Sequence, residues 1–195
     1  MNVLVLFAHP NRSSFNGSVL DTVLAELQAQ KVENTLRDLY GMGFNPLLTT
    51  EDLAGIHGGN TPAEIASEQA AIKKADLLVV IAPVWWNSLP AIMKGYFDRV
   101  FSAGFAYTYG EKGPVGLLTD KRACLITTSG ADQASARRSG LTETIERQWI
   151  HGGFHFCGFN ETRHLNLFNV LGVNDGDRHL MLADAGRFVR AMLNK

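Results

Sequence analysis

The chain has 195 residues, 46% of them hydrophobic and 19% charged, with 18 basic against 19 acidic side chains. That length predicts one domain, residues 1–195, large enough to need neither disulfides nor a structural metal, and the composition excludes a disordered or coiled-coil chain. The balanced charge leaves no basic footprint for nucleic acid, and the longest uncharged stretch, residues 77–93, is broken by Pro83, Asn87, Ser88 and Pro90 and is too short to span a membrane.

Met1-Asn2 leads straight into a first apolar run at residues 3–8, without the basic flank or cleavage site of a signal peptide, so the expected location is the cytoplasm. The run is continuous instead of alternating, as in a strand covered on both faces, and residues 77–82 and 123–128 read the same way. A first helix follows, with Phe15, Val19, Leu20, Val23, Leu24 and Leu27 on one face and Ser13 or Ser14 as its cap. A strand at residues 32–39 comes next, then a long loop at 41–60. Thr61-Pro62-Ala63-Glu64 reads as a capping box with a proline in the first turn, opening a helix that runs to about Ala75. A third helix starts near Ser88 and carries Ile92, Met93, Tyr96, Phe97, Val100 and Phe101 as its stripe. After a second long loop at 102–119, a helix is expected at residues 142–150, a last strand at 163–168, and a final helix at 177–193 burying Met181, Ala185, Phe188 and Met192. About five strands alternating with about five helices predict an α/β fold: an open parallel five-stranded sheet with helices on both faces.

In such a sheet a ligand binds beyond the carboxyl ends of the strands, where the strand order reverses. Three loops fall there: 8–16, 83–89 and 127–131. The first offers hydroxyls and backbone N–H groups at a helix N-terminus, which suits an anion such as phosphate or, more simply, caps the helix. It has no G-x-G-x-x-G and the chain has no G-x-x-x-x-G-K-[ST], which disfavours a Rossmann dinucleotide site and a P-loop. In the second, Trp85 and Trp86 stand side by side where loops usually turn polar; they suit a planar, apolar ligand such as a flavin ring, or else one is core and the other meets a neighbouring subunit. The third, Thr127-Thr128-Ser129-Gly130, supplies donors and a glycine that lets backbone approach a ligand, and would also serve as an ordinary turn.

Other constellations carry less. His151-Gly152-Gly153-Phe154-His155 has the spacing of a zinc helix but lacks its Glu, and two glycines weaken the helix, so no metal site is expected. Cys124 and Cys157 sit in apolar runs as small hydrophobes. Neither C-x-x-C nor G-x-S-x-G is present.

Seven motifs in order resemble the flavodoxin-like NAD(P)H:quinone oxidoreductases, with bacterial quinone reductases and flavin azoreductases close by. They are Ala8-His9 with Ser14-Phe15-Asn16; Phe44-Asn45-Pro46; Pro90-Ala91-Ile92 with Lys94-Gly95; Phe105-Ala106-Tyr107-Thr108-Tyr109; Lys112-Gly113-Pro114; Thr127-Thr128; and His155-Phe156-Cys157-Gly158-Phe159. The resemblance implies a flavodoxin-like sheet of strand order 2-1-3-4-5. It implies a two-electron, ping-pong reduction of quinones or similar planar acceptors, with one FAD or FMN per chain and NAD(P)H as donor. His9, Ser14, Phe15, Asn16, Gly17 and Ser18 would hold the phosphate end of the flavin. Pro83, Val84, Trp85, Trp86 and Asn87 would border its ring, and Thr127, Thr128, Ser129 and Gly130 its pyrimidine edge. Tyr107 and Tyr109 would line the acceptor pocket from the partner subunit of a homodimer. The alternatives are a regulatory flavoprotein subunit of a potassium efflux system and an electron-carrier flavodoxin; carriers are usually strongly acidic, whereas the formal charge here is −1. The chain departs from the family at Asn87, where many members have an aromatic residue, and at Ser129, where many have glycine. The Tyr and His that assist charge movement in the mammalian-type enzymes have no counterpart at residues 131–141, which hold Arg137 and Arg138 instead, so no acid or base is assigned to a catalytic step.

Overall fold

The computed structural model describes residues 1–194. Its strands are β1 (Asn2–Phe7), β2 (Glu33–Asp38), β3 (Leu77–Pro83), β4 (Tyr107–Gly110), β5 (Gly113–Gly116), β6 (Arg122–Thr128) and β7 (Glu161–Leu167). The helices are α1 (Phe15–Ala29), α2 (Thr50–His57), α3 (Ala63–Lys74), α4 (Ala91–Val100), α5 (Gln133–Ser139), α6 (Leu141–Ile145) and α7 (Asp175–Leu193), with a π-helix at Glu146–His155.

Five strands form one parallel sheet in the order β2-β1-β3-β6-β7. The expected order 2-1-3-4-5 is corrected to 2-1-3-6-7, because a hairpin of β4 and β5 intervenes in the chain and pairs only with itself. Each inner strand is buried on both faces, which is why its sequence is a continuous apolar run. Leu4, Leu6, Leu78, Val80, Ala123 and Leu125 face one core, under α4 and the π-helix. Val3, Val5, Phe7, Leu77, Val79, Ile81, Cys124 and Ile126 face the other, under α1 and α7.

The two long loops hold structure that their composition hides. In the first, Thr49 caps α2, with Asp52 N–H donating to its Oγ1 at 3.1 Å and Asp52 Oδ2 accepting from Thr49 N–H at 3.2 Å. The second contains the β4–β5 hairpin. The capping box expected at Thr61 does not form, and α3 begins after Pro62 without a side-chain cap. Glu64 instead reaches Arg99 at 3.0 Å. Arg99 also donates to Asp52 at 2.9 Å and to Asn45 O at 2.7 Å, pinning α2, α3 and the 44–47 loop to α4. Gly95 makes that approach possible: a Cβ there would lie 2.2 Å from Pro46 O. The third helix begins at Ala91 after Pro90, not at Ser88, because residues 85–88 close a tight turn. The helix expected at residues 142–150 is two elements, α6 and the π-helix, the second of which runs on through Gly152 and Gly153 to His155.

Candidate functional site

The carboxyl ends of β1, β3 and β6 bring the three loops together through hydrogen bonds. Ala8 N–H donates to Ile81 O at 3.0 Å, Val84 N–H to Thr128 O at 2.8 Å, and Ser129 N–H to Leu167 O at 3.0 Å. Across the edge, Asn16 Nδ2 donates to Thr128 Oγ1 at 2.8 Å, and the His9 and Trp85 rings sit with centroids 5.9 Å apart.

The first loop is folded tightly onto α1. Ser14 is the cap, its Oγ accepting from Gly17 N–H at 3.3 Å. Gly17 is fixed by space: a Cβ would lie 1.8 Å from Arg12 O. Arg12 donates to Gly17 O at 3.0 Å and pairs with Asp21, whose hydrogen bond raises the guanidinium above its ordinary pKa. Ser18 N–H returns to Ser14 O, so among the described residues the N–H groups of Phe15 and Asn16 keep no backbone or side-chain acceptor. They point out of the positive end of α1, where an anion is stabilised.

The second loop is a two-residue turn. Trp85 N–H donates to Ser88 O at 2.9 Å and Ser88 N–H to Trp85 O at 3.0 Å, while Trp86 and Asn87 both take positive φ, 53° and 56°. Such type I′ geometry suits Asn but strains a bulky side chain. Trp86 is nevertheless there, and its indole is fully exposed. The N–H groups of Trp86 and Asn87, like that of Gly130 in the third loop, lack an acceptor among the described residues.

A flavin would meet each of these features. Asn16 Oδ1 is buried at the same edge with no hydrogen-bond partner, an arrangement that native structures rarely leave uncompensated. An exposed indole, unpaired N–H donors around an edge, a buried acceptor and a helix N-terminus fit a flat ring with a polar rim and a phosphate tail.

Tyr107 and Tyr109 lie on β4 of the hairpin, outside these three loops. They pack edge to face at 5.8 Å, Tyr107 also meets Phe156 at 4.9 Å, and Tyr109 remains 73% exposed. Tyr107 lines a cavity of about 350 Å³ with Lys94, Phe97, Gln148, Trp149 and Phe156 on the α4 and π-helix face. Burial raises its phenol above the ordinary pKa. The buried Trp149 Nε1 has no partner, and Ser88 donating to Gln148 Oε1 at 3.1 Å joins the rim of this cavity to the Trp86 turn.

One cluster was not foreseen. His164 and Asn166 alternate on β7 so that both face Thr127, whose Oγ1 lies 2.8 Å from His164 Nε2 and 3.0 Å from Asn166 Oδ1. Asn166 Nδ2 donates to Ser129 Oγ at 3.3 Å, and Glu146 Oε1 lies 3.4 Å from His164 Nδ1. Burial pulls the imidazole below its ordinary pKa, against the opposing pull of Glu146. Period-two alternation along β7 puts His164 and Asn166 on one face, and only its register with β6 sets that face beside Thr127. His151 and His155, in contrast, meet each other at 3.2 Å, and His155 meets Thr162 at 2.7 Å. Among the described residues, no group of three or more His, Cys, Asp and Glu side chains could hold a metal ion, and no helix is long and apolar enough to cross a membrane.

A family profile described as flavodoxin-like fold matches residues 1–187. A Haemophilus influenzae protein named as an uncharacterized NAD(P)H oxidoreductase is 34% identical over 194 residues, covering 99% of this chain and 96% of its own. Human ribosyldihydronicotinamide dehydrogenase [quinone] is 34% identical over 177 residues, 80% of this chain and 77% of its own. Among solved structures, the NAD(P)H:quinone oxidoreductase of Methanothermobacter marburgensis superposes with a TM-score of 0.86 at 30% identity, covering 96% of both chains.

Proposed function

The chain belongs to the flavodoxin-like family, and from that premise we propose that it is a flavin-dependent NAD(P)H:quinone oxidoreductase. The observation that carries the reading is Trp86, a fully exposed indole held in strained backbone at the sheet edge, where the unpaired donors and the buried Asn16 Oδ1 also gather. Strain of this kind concentrates at ligand clamps. The names of the relatives agree with the enzyme and favour neither the transporter subunit nor the electron carrier.

A bound flavin would accept a hydride from NAD(P)H and pass two electrons to a quinone. His9, Ser14, Phe15, Asn16, Gly17 and Ser18 are assigned to its phosphate end, with the free N–H groups of Phe15 and Asn16 as the anion donors. Pro83, Val84, Trp85, Trp86 and Asn87 border the ring, and Thr127, Thr128, Ser129 and Gly130 hold its pyrimidine edge. The chain contributes binding, orientation and exclusion of water, while the electron chemistry belongs to the cofactor. Donor and acceptor would share one open face in turn, which makes the kinetics ping-pong.

The acceptor pocket is assigned to Tyr107 and Tyr109 across a homodimer. Supporting this, Tyr109, Val115, Leu117 and Phe156 all expose apolar surface around the hairpin, and patches of this kind mark interaction sites. A two-fold axis would repeat the pocket. Two free cysteines are consistent with a cytoplasmic protein.

The test is purification followed by titration with FMN and with FAD, then anaerobic mixing with NADH or NADPH and 1,4-benzoquinone. Stoichiometric flavin uptake and steady quinone reduction are expected. A protein that takes up neither flavin ends this reading.

A further inference from the structure

The chain Glu146–His164–Thr127–Asn166–Ser129 contains a choice about one proton. It starts at a half-exposed carboxylate on the π-helix, passes through an imidazole whose side chain is 3% exposed, and ends in the loop assigned to the flavin's pyrimidine edge. Each member has a fixed inventory of donors and acceptors.

Suppose Thr127 gives its hydroxyl proton to Asn166 Oδ1. Then His164 Nε2 must donate to Thr127, and Nδ1, facing an ionised Glu146, needs a proton as well, so the imidazole is a cation. Asn166 Nδ2 donates to Ser129, and Ser129 donates onward to Ala131 O, 3.3 Å away. If the imidazole is neutral with its proton on Nδ1 toward Glu146, Nε2 instead accepts the Thr127 proton. Thr127 then needs a donor, so the Asn166 amide turns over, and Ser129 donates to its oxygen. Protonating one buried ring therefore reverses every hydrogen bond from Nε2 as far as Ser129, while the Nδ1 bond to Glu146 stays, and the neutral state frees an acceptor lone pair on Ser129 that the charged state occupies.

Around the ring lies a cavity of about 300 Å³ lined by Arg137 of α5, Glu143 of α6, Glu146 of the π-helix, and Asn166 and Phe168. It provides a route for solvent protons. Arg137 opposes a charge on His164, while Glu143 and Glu146 favour it.

Resting on the flavin reading above, we propose that His164, backed by Glu146, is a positioning residue. By taking up or releasing a solvent proton it switches the hydrogen-bond polarity of the loop at Thr127–Gly130, and it charges when negative charge arrives at the pyrimidine edge of the ligand. Thr127 and Asn166 transmit the change without altering their own ionisation.

The experiment follows the His164 ring by NMR through a pH titration, without ligand, with FMN and with dithionite-reduced FMN, and measures both FMN dissociation constants across the same range. Reduced FMN should raise the His164 pKa by about one unit. By linkage, its binding would tighten about tenfold from the alkaline to the acid side of the transition. Because FMN itself titrates, the wild-type curve is read against His164→Gln, which can still donate to Thr127 but cannot charge; its curve should lack this component. Glu146→Gln, which removes the supporting carboxylate, should lower the ring's pKa in every state. If FMN binds but leaves the His164 titration unmoved, or wild type and His164→Gln share one pH dependence, this inference is overturned and the flavin reading stands. If neither FMN nor FAD binds the wild type, both fall.

Discussion

Replacing Trp86 with glycine separates what this side chain does for the fold from what it does for the ligand. An L residue in the left-handed region is disfavoured by roughly 1–2 kcal/mol, and Trp86 has φ 53°. Glycine removes that strain but costs about 0.5–1 kcal/mol in chain entropy, and a fully exposed indole has no burial to lose. The sum favours glycine by about 0–1.5 kcal/mol, or at most about 3–6 °C in Tm for a chain of this size. Flavin affinity should behave otherwise. One indole face resting on a ring covers roughly 100 Å², about half the area a buried aromatic loses. At about 25 cal/mol per Å² that is about 2.5 kcal/mol. Allowing for incomplete cover, the dissociation constant should rise about tenfold to sixtyfold. Trp86→Ala, which keeps a Cβ in the strained turn, should lose the same affinity without the relief in stability. Flavin quenching titrations and thermal melts of the three proteins decide the matter. Unchanged flavin affinity in both variants would refute the assignment, and a melting temperature lowered by many degrees would show that the indole is packed rather than open.

Tyr107→Ala and Tyr109→Ala should reduce quinone turnover more than they weaken flavin binding; mixing either with Trp86→Ala under subunit exchange should restore activity in a fraction of heterodimers. A fully active monomer would contradict this. Arg99→Met should cost about 3–5 kcal/mol in urea unfolding, because Asp52 is left buried and uncompensated. In the wild type the Arg99 hydrogen bond holds the Asp52 carboxyl below its ordinary pKa, so its stabilisation is complete above that ordinary value and is lost as pH falls through the folded one. In the variant, protonation relieves the buried charge, so the deficit should shrink in acid; a deficit that stays constant with pH contradicts the ion-pair account. Burial pushes the Cys124 and Cys157 thiols up to about 12, so both should resist alkylation in the native protein near neutral pH and react after unfolding. Rapid labelling of the folded chain would show that the packing around them is wrong.

The inner strands were legible because burial on both faces leaves no polar position to confuse the pattern. Helices α1, α4 and α7 were legible because each keeps an apolar stripe against one core. What escaped were elements held by polar contacts. The helix α2 buries only Asp52 and is held by Thr49 and Arg99, so nothing apolar announces it. The β4–β5 hairpin pairs only with itself, and its two inserted strands renumber the sheet order. At Thr61 the local pattern was sound but a tertiary contact overrode it: Glu64 pairs with Arg99 instead of closing the box. A capping bond contributes about 1 kcal/mol, and Arg99, already buried against Asp52, has the greater need of a carboxylate.

The site divides along the same line. Topology alone points to the candidate address, and its aromatic and hydroxyl residues are candidates from the sequence, because composition sets them apart from ordinary loop ends. Its strained backbone and its second layer could not be named. A sequence does not say that Trp86 will occupy a turn position fit for Asn or Gly, nor that Asn16 will give its amide proton to Thr128 and keep its oxygen unpaired. His164 required a register: only when β7 is paired with β6, setting Asn166 opposite Thr127 and His164 opposite Leu125, do the imidazole and the amide share a face with that hydroxyl. Each departure works against local preference or polar satisfaction, and a fold selected only for stability would shed them cheaply, by glycine at 86 or an apolar side chain at 16. Their accumulation on one sheet edge is the physical argument that this edge is kept for a ligand.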